Sequence, residues 1–183
     1  MIARHPPIIA NNLFTSPIVK YHLYVLPYQN NKHWIVETKY KLNLSRINQL
    51  VEIISNTLSE YVYDWFPLED NWSIVSVPPH WRTRWHRRFD LNSIIANKIS
   101  KPLGYGVTRP IRNVSRITQG ECKTKQARIK NAKHKFKLKR RATVPRNIIL
   151  FDDVVATGAT MRACEKLLRQ AGAKNVIWLS IAH

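Results

Sequence analysis

Two neighbouring carboxylates at the end of an apolar run are the residues of this chain best placed to do chemistry. Asp152 and Asp153 directly follow the run Ile-Ile-Leu-Phe at 148–151. Carboxylates accept hydrogen bonds from the vicinal hydroxyls of a ribose, and beside a sugar they can stabilise developing positive charge. Both acids are therefore candidate catalytic residues, and Asp153 is the better candidate for a general base. Taken alone, such a pair is equally typical of a solvated turn.

The residues after the acids are typical of a phosphate-binding loop at the start of a helix. A helix N-terminus presents unpaired N–H groups and the positive end of the helix dipole, so it attracts phosphate. Gly158 lets the backbone approach an anion without an intervening Cβ, and Thr157 and Thr160 carry hydroxyl donors. We call residues 156–160 the phosphate loop. A sugar 5-phosphate is expected here, its phosphate on the loop and its ribose on the acids; the predicted contacts are Asp152, Asp153, Ala156, Thr157, Gly158, Ala159 and Thr160.

The surrounding elements predict an α/β fold that places this segment at one edge of a parallel sheet. The apolar run at 147–151 is typical of a strand buried on both faces. Residues 160–171 have helical spacing with Gly172 as C-terminal cap, and 175–181 form another apolar strand. Strand, helix and strand in this order imply parallel strands, and ligands bind outside their carboxyl ends. The other expected elements are a helix capped by Ser45, a strand at 73–77, a helix capped by Asp90 and a strand at 105–111.

Composition divides the rest of the chain. Residues 1–19, with several Pro and Asn, predict an irregular arm. Aromatic and β-branched runs at 20–26 and 34–40 predict a hairpin, which with the following helix forms a small N-terminal lobe over 20–71. The core domain then covers 72–183. Within it, the polar and basic segment 118–141 predicts a mobile loop with a short helix near 125–133.

The charge distribution predicts a polyanionic partner. Residues 1–71 are neutral, with six bases and six acids, so the whole net charge of +19 lies in 72–183, where 24 bases face five acids. Residues 112–146 alone hold thirteen bases and one acid. Such a surface attracts phosphate, diphosphate or nucleic acid, and a solvated basic face is the plain alternative.

Several classes of protein are disfavoured. Cys122 and Cys164 are far apart without a CxxC, so neither a disulfide framework nor zinc is expected, and His80 and His86 lack metal-ligand spacing. No GxxxxGK[ST] segment is present, and Gly-Tyr-Gly at 104–106 lacks the third glycine of a dinucleotide fingerprint. No apolar run approaches the ~18 residues of a membrane span, and no secretory signal is recognisable. A cytoplasmic protein is the expectation.

Residues 148–160 resemble the PRPP (phosphoribosyl pyrophosphate) signature of type I phosphoribosyltransferases. That signature is an apolar strand, two acids, two apolar residues and Thr/Ser-Thr-Gly-x-Thr/Ser; here Ala156 stands where a hydroxyl residue is common. The resemblance implies a type I phosphoribosyltransferase-like core, with a mainly parallel sheet flanked by helices. It also implies that Val77, Pro78 and Pro79, after the first core strand, face the pyrophosphate, although a Pro-Pro pair can equally serve only to end a strand. Four arginines follow that could neutralise a diphosphate with their bidentate forks, namely Arg82, Arg84, Arg87 and Arg88, with Arg82 and Arg87 as the main candidates. A surface cluster is the equal alternative.

Further segments resemble the ComF branch of that superfamily, the competence-associated phosphoribosyltransferase-like proteins. They are Lys-Tyr-Lys at 39–41, Val-Pro-Pro-His at 77–80, Arg-Arg-Phe-Asp at 87–90, Gln119, Ala-Arg-Ile-Lys-Asn at 127–131 and Phe136. The chain departs from the branch in lacking its usual N-terminal four-cysteine zinc module. It also departs at Arg88, Asp90 and Leu91, where Gly, Asn and Gln are usual.

The resemblance implies binding of PRPP or a ribose 5-phosphate moiety, with phosphoribosyl transfer as the reaction. Mg²⁺ would then bridge the diphosphate and the sugar hydroxyls, without a dedicated cluster of protein ligands. The alternative is a non-catalytic protein that binds single-stranded DNA during uptake in natural transformation. Ordinary nucleobase salvage ranks last, because no base-binding hood is recognisable.

Two groups of residues could contact DNA. The first is the basic segment 133–141, which could follow the phosphodiester backbone. It could instead be a lid over the active site or a solvated loop. Its basic residues are Lys133, Lys135, Lys137, Lys139, Arg140 and Arg141. Trp72, Trp81 and Trp85 lie among arginines and could stack on unpaired bases, or they could belong to the core and to cation–π contacts.

Overall fold

The computed structural model describes residues 8–9, 22–27, 31–32, 35–37, 42–65, 71–115 and 135–183. In these ranges a six-stranded sheet carries helices on both faces, and a separate two-stranded ribbon lies beside it. The strands are β1 Ile8–Ile9, β2 His22–Leu26, β3 Trp72–Ser76, β4 Gly106–Thr108, β5 Ile111–Asn113, β6 Phe136–Leu138, β7 Asn147–Val154 and β8 Asn175–Ala182. The helices are α1 Leu44–Trp65, α2 Trp81–Arg87, α3 Leu91–Leu103 and α4 Ala159–Gln170.

The sheet is mainly parallel, as the sequence predicted. Its strand order is β1-β2-β8-β7-β3-β4, and every neighbouring pair is parallel except β1 with β2. The central strand is β7, with Ile149 opposite Ile74 of β3 and Ile177 of β8. Strands buried on both faces require continuous apolar sequence, which explains the runs in β7 and β8.

Alternate residues of β7 feed two separate cores. Ile149 and Phe151 pack with the helices α1 and α3 on one face. Ile148 and Leu150 pack with α4 and with Phe136 of the ribbon on the other. Because successive side chains of a strand point to opposite faces, the apolar run holds both layers together and fixes the position of the acids that follow it.

Side chains cap the first turns of α1 and α3. In α3, Oδ1 of Asp90 accepts a hydrogen bond from the Ser93 N–H at 3.1 Å, which confirms the predicted cap. In α1, the side chain of Asn43 accepts from the Arg46 N–H at 3.1 Å. The expected cap at Ser45 is therefore wrong by two residues, because the helix already begins at Leu44.

The expected N-terminal hairpin is also wrong. β2 forms as predicted, but residues 35–37 of the expected second strand are helical. β2 pairs instead with β8, where Leu23 lies opposite Leu179, and with the short strand β1. The reason is burial. Between β1 and β8, β2 is a strand of the large sheet and is buried there, whereas an isolated two-stranded hairpin would leave it exposed. The N-terminal segment thus contributes β2 and α1 to the same sheet and core as residues 72–183.

A second difference concerns the segments around the ribbon. The strand expected at 105–111 is divided, since β4 pairs with β3 whereas β5 leaves the sheet and pairs antiparallel with β6. Pro110 lies at the break, and its lack of an N–H is suited to the end of a ladder. Residues 136–138, expected in a mobile loop, form β6. The rest of that expectation, including the helix near 125–133, lies outside the described residues.

Two further expectations can be compared with the fold. Cys164 is buried in the core beneath α4, as its helical spacing predicted, and burial raises the pKa of its thiol well above the usual value. Across the described ranges, the helices are too short or too polar to span a bilayer.

Candidate functional site

The acids and the phosphate loop lie at the point where the chain turns to opposite sides of the sheet. From β3 the chain passes through α3 to β4 at one edge, whereas from β7 it passes through α4 to β8 in the other direction. The carboxyl ends of β3 and β7 are neighbours, with Ser76 opposite Phe151. Such a divergence opens a crevice between the following loops, and ligands of open α/β sheets bind in it.

The phosphate loop has the local conformation that an anion site requires. Gly158 is the N-cap of α4 and adopts the left-handed region, with φ 68° and ψ 0°, which costs a residue with a Cβ about 1–2 kcal/mol. Thr157 Oγ1 accepts a weak hydrogen bond from the Ala159 N–H at 3.4 Å. A cavity of about 60 Å³ lies here, lined by the loop together with Asp152 and Met161. The structure therefore brings Asp152 together with all five predicted loop residues, whereas Asp153 lies outside the lining of this cavity.

An arginine that the sequence reasoning missed holds this loop in place. Nη2 of Arg162, in the first turn of α4, donates to the carbonyl oxygen of Thr157 at 2.5 Å. The guanidinium is partly buried, and this desolvation lowers the pKa of Arg162 from its ordinary value. Arg162 adds a positive charge next to an anion site, and its place five residues after Thr157 is the signal that could have identified it.

Each of the two acids is oriented by protein donors. Oδ1 of Asp152 accepts from Nδ2 of Asn92 at 2.9 Å and from the Asp153 N–H at 3.0 Å. Oδ1 of Asp153 accepts from the Val154 N–H at 2.8 Å. Both carboxylates are half-buried. Both carboxylates are thus held by protein donors and are partly accessible, and Asp152 is the one that lines the loop cavity.

Asn92 connects the acids to the loop after β3. Its Nδ2 also donates to the carbonyl oxygen of Val77 at 3.2 Å, and the side chain is buried. The sequence reasoning missed this residue. A signal was available, since Asn92 occupies an inward position of α3 with Ile95, Ala96 and Ile99, and a buried amide needs hydrogen-bond partners.

The loop after β3 is held firmly. The Val77 N–H donates to the carbonyl of Phe151 at 2.8 Å, and the Pro78 carbonyl accepts from Nδ2 of Asn113 at 3.3 Å. His80 is buried; its Nδ1 accepts from the Arg82 N–H at 3.2 Å, and its Nε2 lies 2.9 Å from the Ser115 carbonyl oxygen. His80 therefore has a structural role as the N-terminal cap of α2.

A basic pocket lies beside this loop. Its volume is about 360 Å³, and Pro78 and Trp81 lie in its wall. Of the four candidate arginines after β3, Arg84 lines the pocket, whereas Arg82, Arg87 and Arg88 lie outside its lining. Arg82 lies instead over the ring of Trp81, 5.3 Å from its centroid. The pocket's other basic side chains, Arg109, Arg112 and Lys139, come from segments far away in sequence.

The candidate nucleic-acid residues do not all share one environment. Lys133 lies outside the described residues. Lys135 is buried, with Nζ 5.1 Å from the centroid of the Phe136 ring, so it does not belong to an exposed basic surface. Trp72 is a core residue, whereas Trp81 and Trp85 are exposed. The remaining candidates are exposed, namely Lys137, Lys139, Arg140 and Arg141.

A polar cluster lies next to the acids on the neighbouring strands. Ser180 of β8 pairs with Asp152 of β7, and its Oγ lies 3.0 Å from Nε2 of His22 in β2. Burial, assisted by the nearby His183, lowers the pKa of His22 to about 3. His183 lies 2.6 Å from the carbonyl oxygen of Val155, just before the phosphate loop. A neutral imidazole thus lies two strands from the candidate site.

Two phosphoribosyltransferases are among the solved structures to which the chain is similar. Adenine phosphoribosyltransferase from Saccharomyces cerevisiae is 18% identical, covering 72% of this chain and 68% of that one, with a TM-score of 0.46. A hypoxanthine-guanine phosphoribosyltransferase from Bacillus anthracis is 17% identical, covering 73% and 68%, with a TM-score of 0.47. Both TM-scores lie below 0.5, so neither the fold class nor a ligand of this chain is inferred from these similarities.

One curated relative matches a short part of the chain at higher identity. The chain is 46% identical over 48 residues to competence protein ComFC of Streptococcus pneumoniae (strain ATCC BAA-255 / R6). The match covers 26% of this chain and 22% of the relative, so the chain matches about a fifth of that protein's length. No family model matches the chain. The resemblance to ComF proteins, inferred from the motifs, is confirmed by this match, and activity and partners remain matters for proposal.

Proposed function

We propose that this chain is a ComF-type, phosphoribosyltransferase-like protein that binds PRPP or another ribose 5-phosphate moiety. One observation carries the proposal: the left-handed Gly158 begins α4 at the carboxyl end of a buried strand, beside two oriented carboxylates. The loop N–H groups and the hydroxyls of Thr157 and Thr160 would hold the 5-phosphate. The ribose hydroxyls would donate to Asp152 and Asp153, and the pyrophosphate would lie towards Val77 and Pro78.

The donor set is suited to Mg²⁺ carried by the ligand. Among the described residues, no three His, Cys, Asp or Glu side chains gather as a metal site. Mg²⁺ usually binds through one or two carboxylates together with substrate phosphates. Asp152 and Asp153 are such carboxylates and would hold the ion with the bound diphosphate. When bound, the ion would offset the negative charge of the leaving group.

Phosphoribosyl transfer is the reaction this geometry would support. The bond between the anomeric carbon and the pyrophosphate oxygen breaks, and pyrophosphate leaves with the electron pair. An acceptor then forms a bond to the same carbon and gives its proton to Asp153. The half-buried carboxylates would stabilise the positive charge that develops on the sugar, so positioning and electrostatics would carry the catalysis.

Calorimetric titration with PRPP, with and without Mg²⁺, tests the proposal. We expect saturable binding that strengthens with Mg²⁺ and weakens at least tenfold in Asp153→Asn, because a hydrogen bond to a charged partner contributes about 1.5–3 kcal/mol. Thr157→Val should weaken binding less, and exposed Thr143, outside the lining of the loop cavity, provides a matched Thr→Val control. Absence of heat with PRPP and with ribose 5-phosphate would refute the proposal.

A second candidate function is nucleic-acid binding during DNA uptake. It is supported by the charge of residues 72–183 and by the exposed turn around Lys137, Arg140 and Arg141. The curated relative is named a competence protein, which agrees with this candidate, and a cytoplasmic location is part of it. Single-stranded DNA should bind with a steep salt dependence, and neutralising the turn should reduce the slope by about 0.7 per lost contact. Binding that is independent of salt would exclude it.

A further inference from the structure

Two tryptophans of α2 lie in water rather than in the core. The side chains of Trp81 and Trp85 are 59% and 81% exposed, whereas Trp72 and Trp178 are almost fully buried. An exposed indole forgoes the stabilisation that its large apolar surface would gain by burial. Trp81 and Trp85 are four residues apart on one helix, so they are neighbours on the same face. The helix therefore presents two flat apolar surfaces side by side.

The indoles border a strongly positive pocket. Trp81 lies in the wall of the basic pocket described above, which also contains one carboxylate, Asp90. Asp90 is already used as the cap of α3, since it accepts from the N–H and the hydroxyl of Ser93. The four basic lining residues are all exposed and come from three parts of the chain, namely Arg84, Arg109, Arg112 and Lys139. Excess positive charge beside exposed indoles is suited to a ligand that carries both phosphates and flat rings.

The arrangement favours a strand over a single nucleotide. Trp85 lies on α2 outside the residues that line the pocket, so the aromatic surface continues beyond the space for one phosphate. The guanidinium of Arg82 lies 5.3 Å from the centroid of the Trp81 ring, which orders that indole and adds charge. Duplex DNA hides its base faces, and an acidic peptide offers few flat rings, whereas single strands expose both bases and phosphates.

We infer that α2 and the adjacent pocket form a binding site for single-stranded nucleic acid. Bases stack on Trp81 and Trp85, and the phosphodiester backbone crosses Arg84, Arg109 and Arg112. The inference rests on the second candidate function and adds a defined site to it. The pocket shares no lining residue with the phosphate loop. Pro78, on the proposed pyrophosphate side of the PRPP site, lies in the pocket wall, whereas Trp85 lies outside both linings.

Fluorescence anisotropy with the full chain tests the inference. The probes are a labelled twenty-nucleotide oligothymidine and an abasic oligomer of the same length, at several salt concentrations. We expect Trp85→Ala and Trp81→Ala each to weaken binding of oligothymidine about tenfold and to leave the abasic oligomer unchanged. Trp85→Phe should recover part of the loss. Arg109→Gln with Arg112→Gln should reduce the salt slope by about 1.4.

Matched controls separate this site from other basic surface. Lys166→Gln with Lys174→Gln removes two exposed charges outside the pocket and should leave the Trp-dependent preference for bases intact. PRPP titration of Trp85→Ala should match the parent chain, whether or not PRPP binds. Equal affinity for both oligomers overturns the inference while leaving nucleic-acid binding in place. If neither oligomer binds, both this inference and the proposed nucleic-acid binding are overturned.

Discussion

The phosphate loop and the basic pocket are both anion sites, but the chain builds them in opposite ways. The loop and its acids are contiguous, within residues 152–160, and their shape comes from one strand end and one helix start. The pocket gathers side chains from the loop after β3, from α2, from the break between β4 and β5, and from the end of β6. A contiguous site depends on local backbone conformation, whereas an assembled site depends on the sheet order. Substitutions should therefore affect the two sites independently, except where a residue joins them.

The largest effect should follow Gly158→Val. A β-branched side chain is strained at φ 68° and places a Cβ where the backbone must approach phosphate. We expect PRPP affinity to fall at least a hundredfold in calorimetry, with oligothymidine binding unchanged. Gly104→Val is the matched control, because Gly104 has φ 66° and no atom within 4 Å of its added Cβ. If both variants lose PRPP affinity equally, backbone strain rather than the loop is responsible.

Asn92→Ala should show where the two regions communicate. Asn92 donates to both Asp152 and Val77, so its loss removes two hydrogen bonds, one of them to a carboxylate, at a cost of about 1–3 kcal/mol. We expect a lower free energy of unfolding in urea and PRPP affinity reduced about tenfold. Asn97→Ala, an exposed position of the same helix whose amide bonds only the local Ser93 carbonyl, should change little. A stable Asn92→Ala chain with full PRPP affinity would separate the loop after β3 from the acids.

The polar cluster beside the acids should make stability fall in mild acid. The pKa of His22 is about 3 in the folded chain, below the ordinary value of about 6.5. As the pH falls, His22 is therefore protonated in the unfolded chain before it is protonated in the folded chain. The contribution of neutral His22 to the free energy of unfolding is complete above pH 6.5 and is lost as the pH falls towards 3. When the pH is lowered from 7.5 to 5, the free energy of unfolding should fall in the parent chain by about 1–2 kcal/mol more than it falls in His22→Gln. Exposed His86→Gln is the control, and parallel pH curves for all three chains would contradict the assignment.

The smallest effect should come from Arg162→Met. This change removes the hydrogen bond to the Thr157 carbonyl and a charge beside the loop, while the backbone conformation of Gly158 is retained. PRPP affinity should fall about threefold to tenfold, consistent with about 1 kcal/mol for one hydrogen bond. Exposed Lys166→Met, on the same helix, should leave it unchanged. A loss as large as that of Gly158→Val would mean that Arg162 contacts the phosphate directly.

The comparison of the two sites also explains what could be predicted. The strand–acid–loop–helix segment could be identified because apolar runs, a glycine at a helix start and adjacent acids act over a few residues. The prediction of an N-terminal hairpin was wrong because an aromatic run such as 20–26 does not indicate which strand it pairs with. β2 pairs with β8, whose residues lie more than 150 positions away, as in the contact between His22 and Ser180.

The sequence alone determined the phosphate loop and its two acids, since helix capping and backbone conformation are local properties. Only the tertiary structure decided that Asn92 reaches Asp152 across 60 residues. It likewise decided that, of the candidate arginines after β3, only Arg84 lines the basic pocket, where it is joined by Arg109 and Arg112. The physical reason is that contacts between distant segments follow from strand order and burial on two faces of the sheet, which no short window of sequence contains.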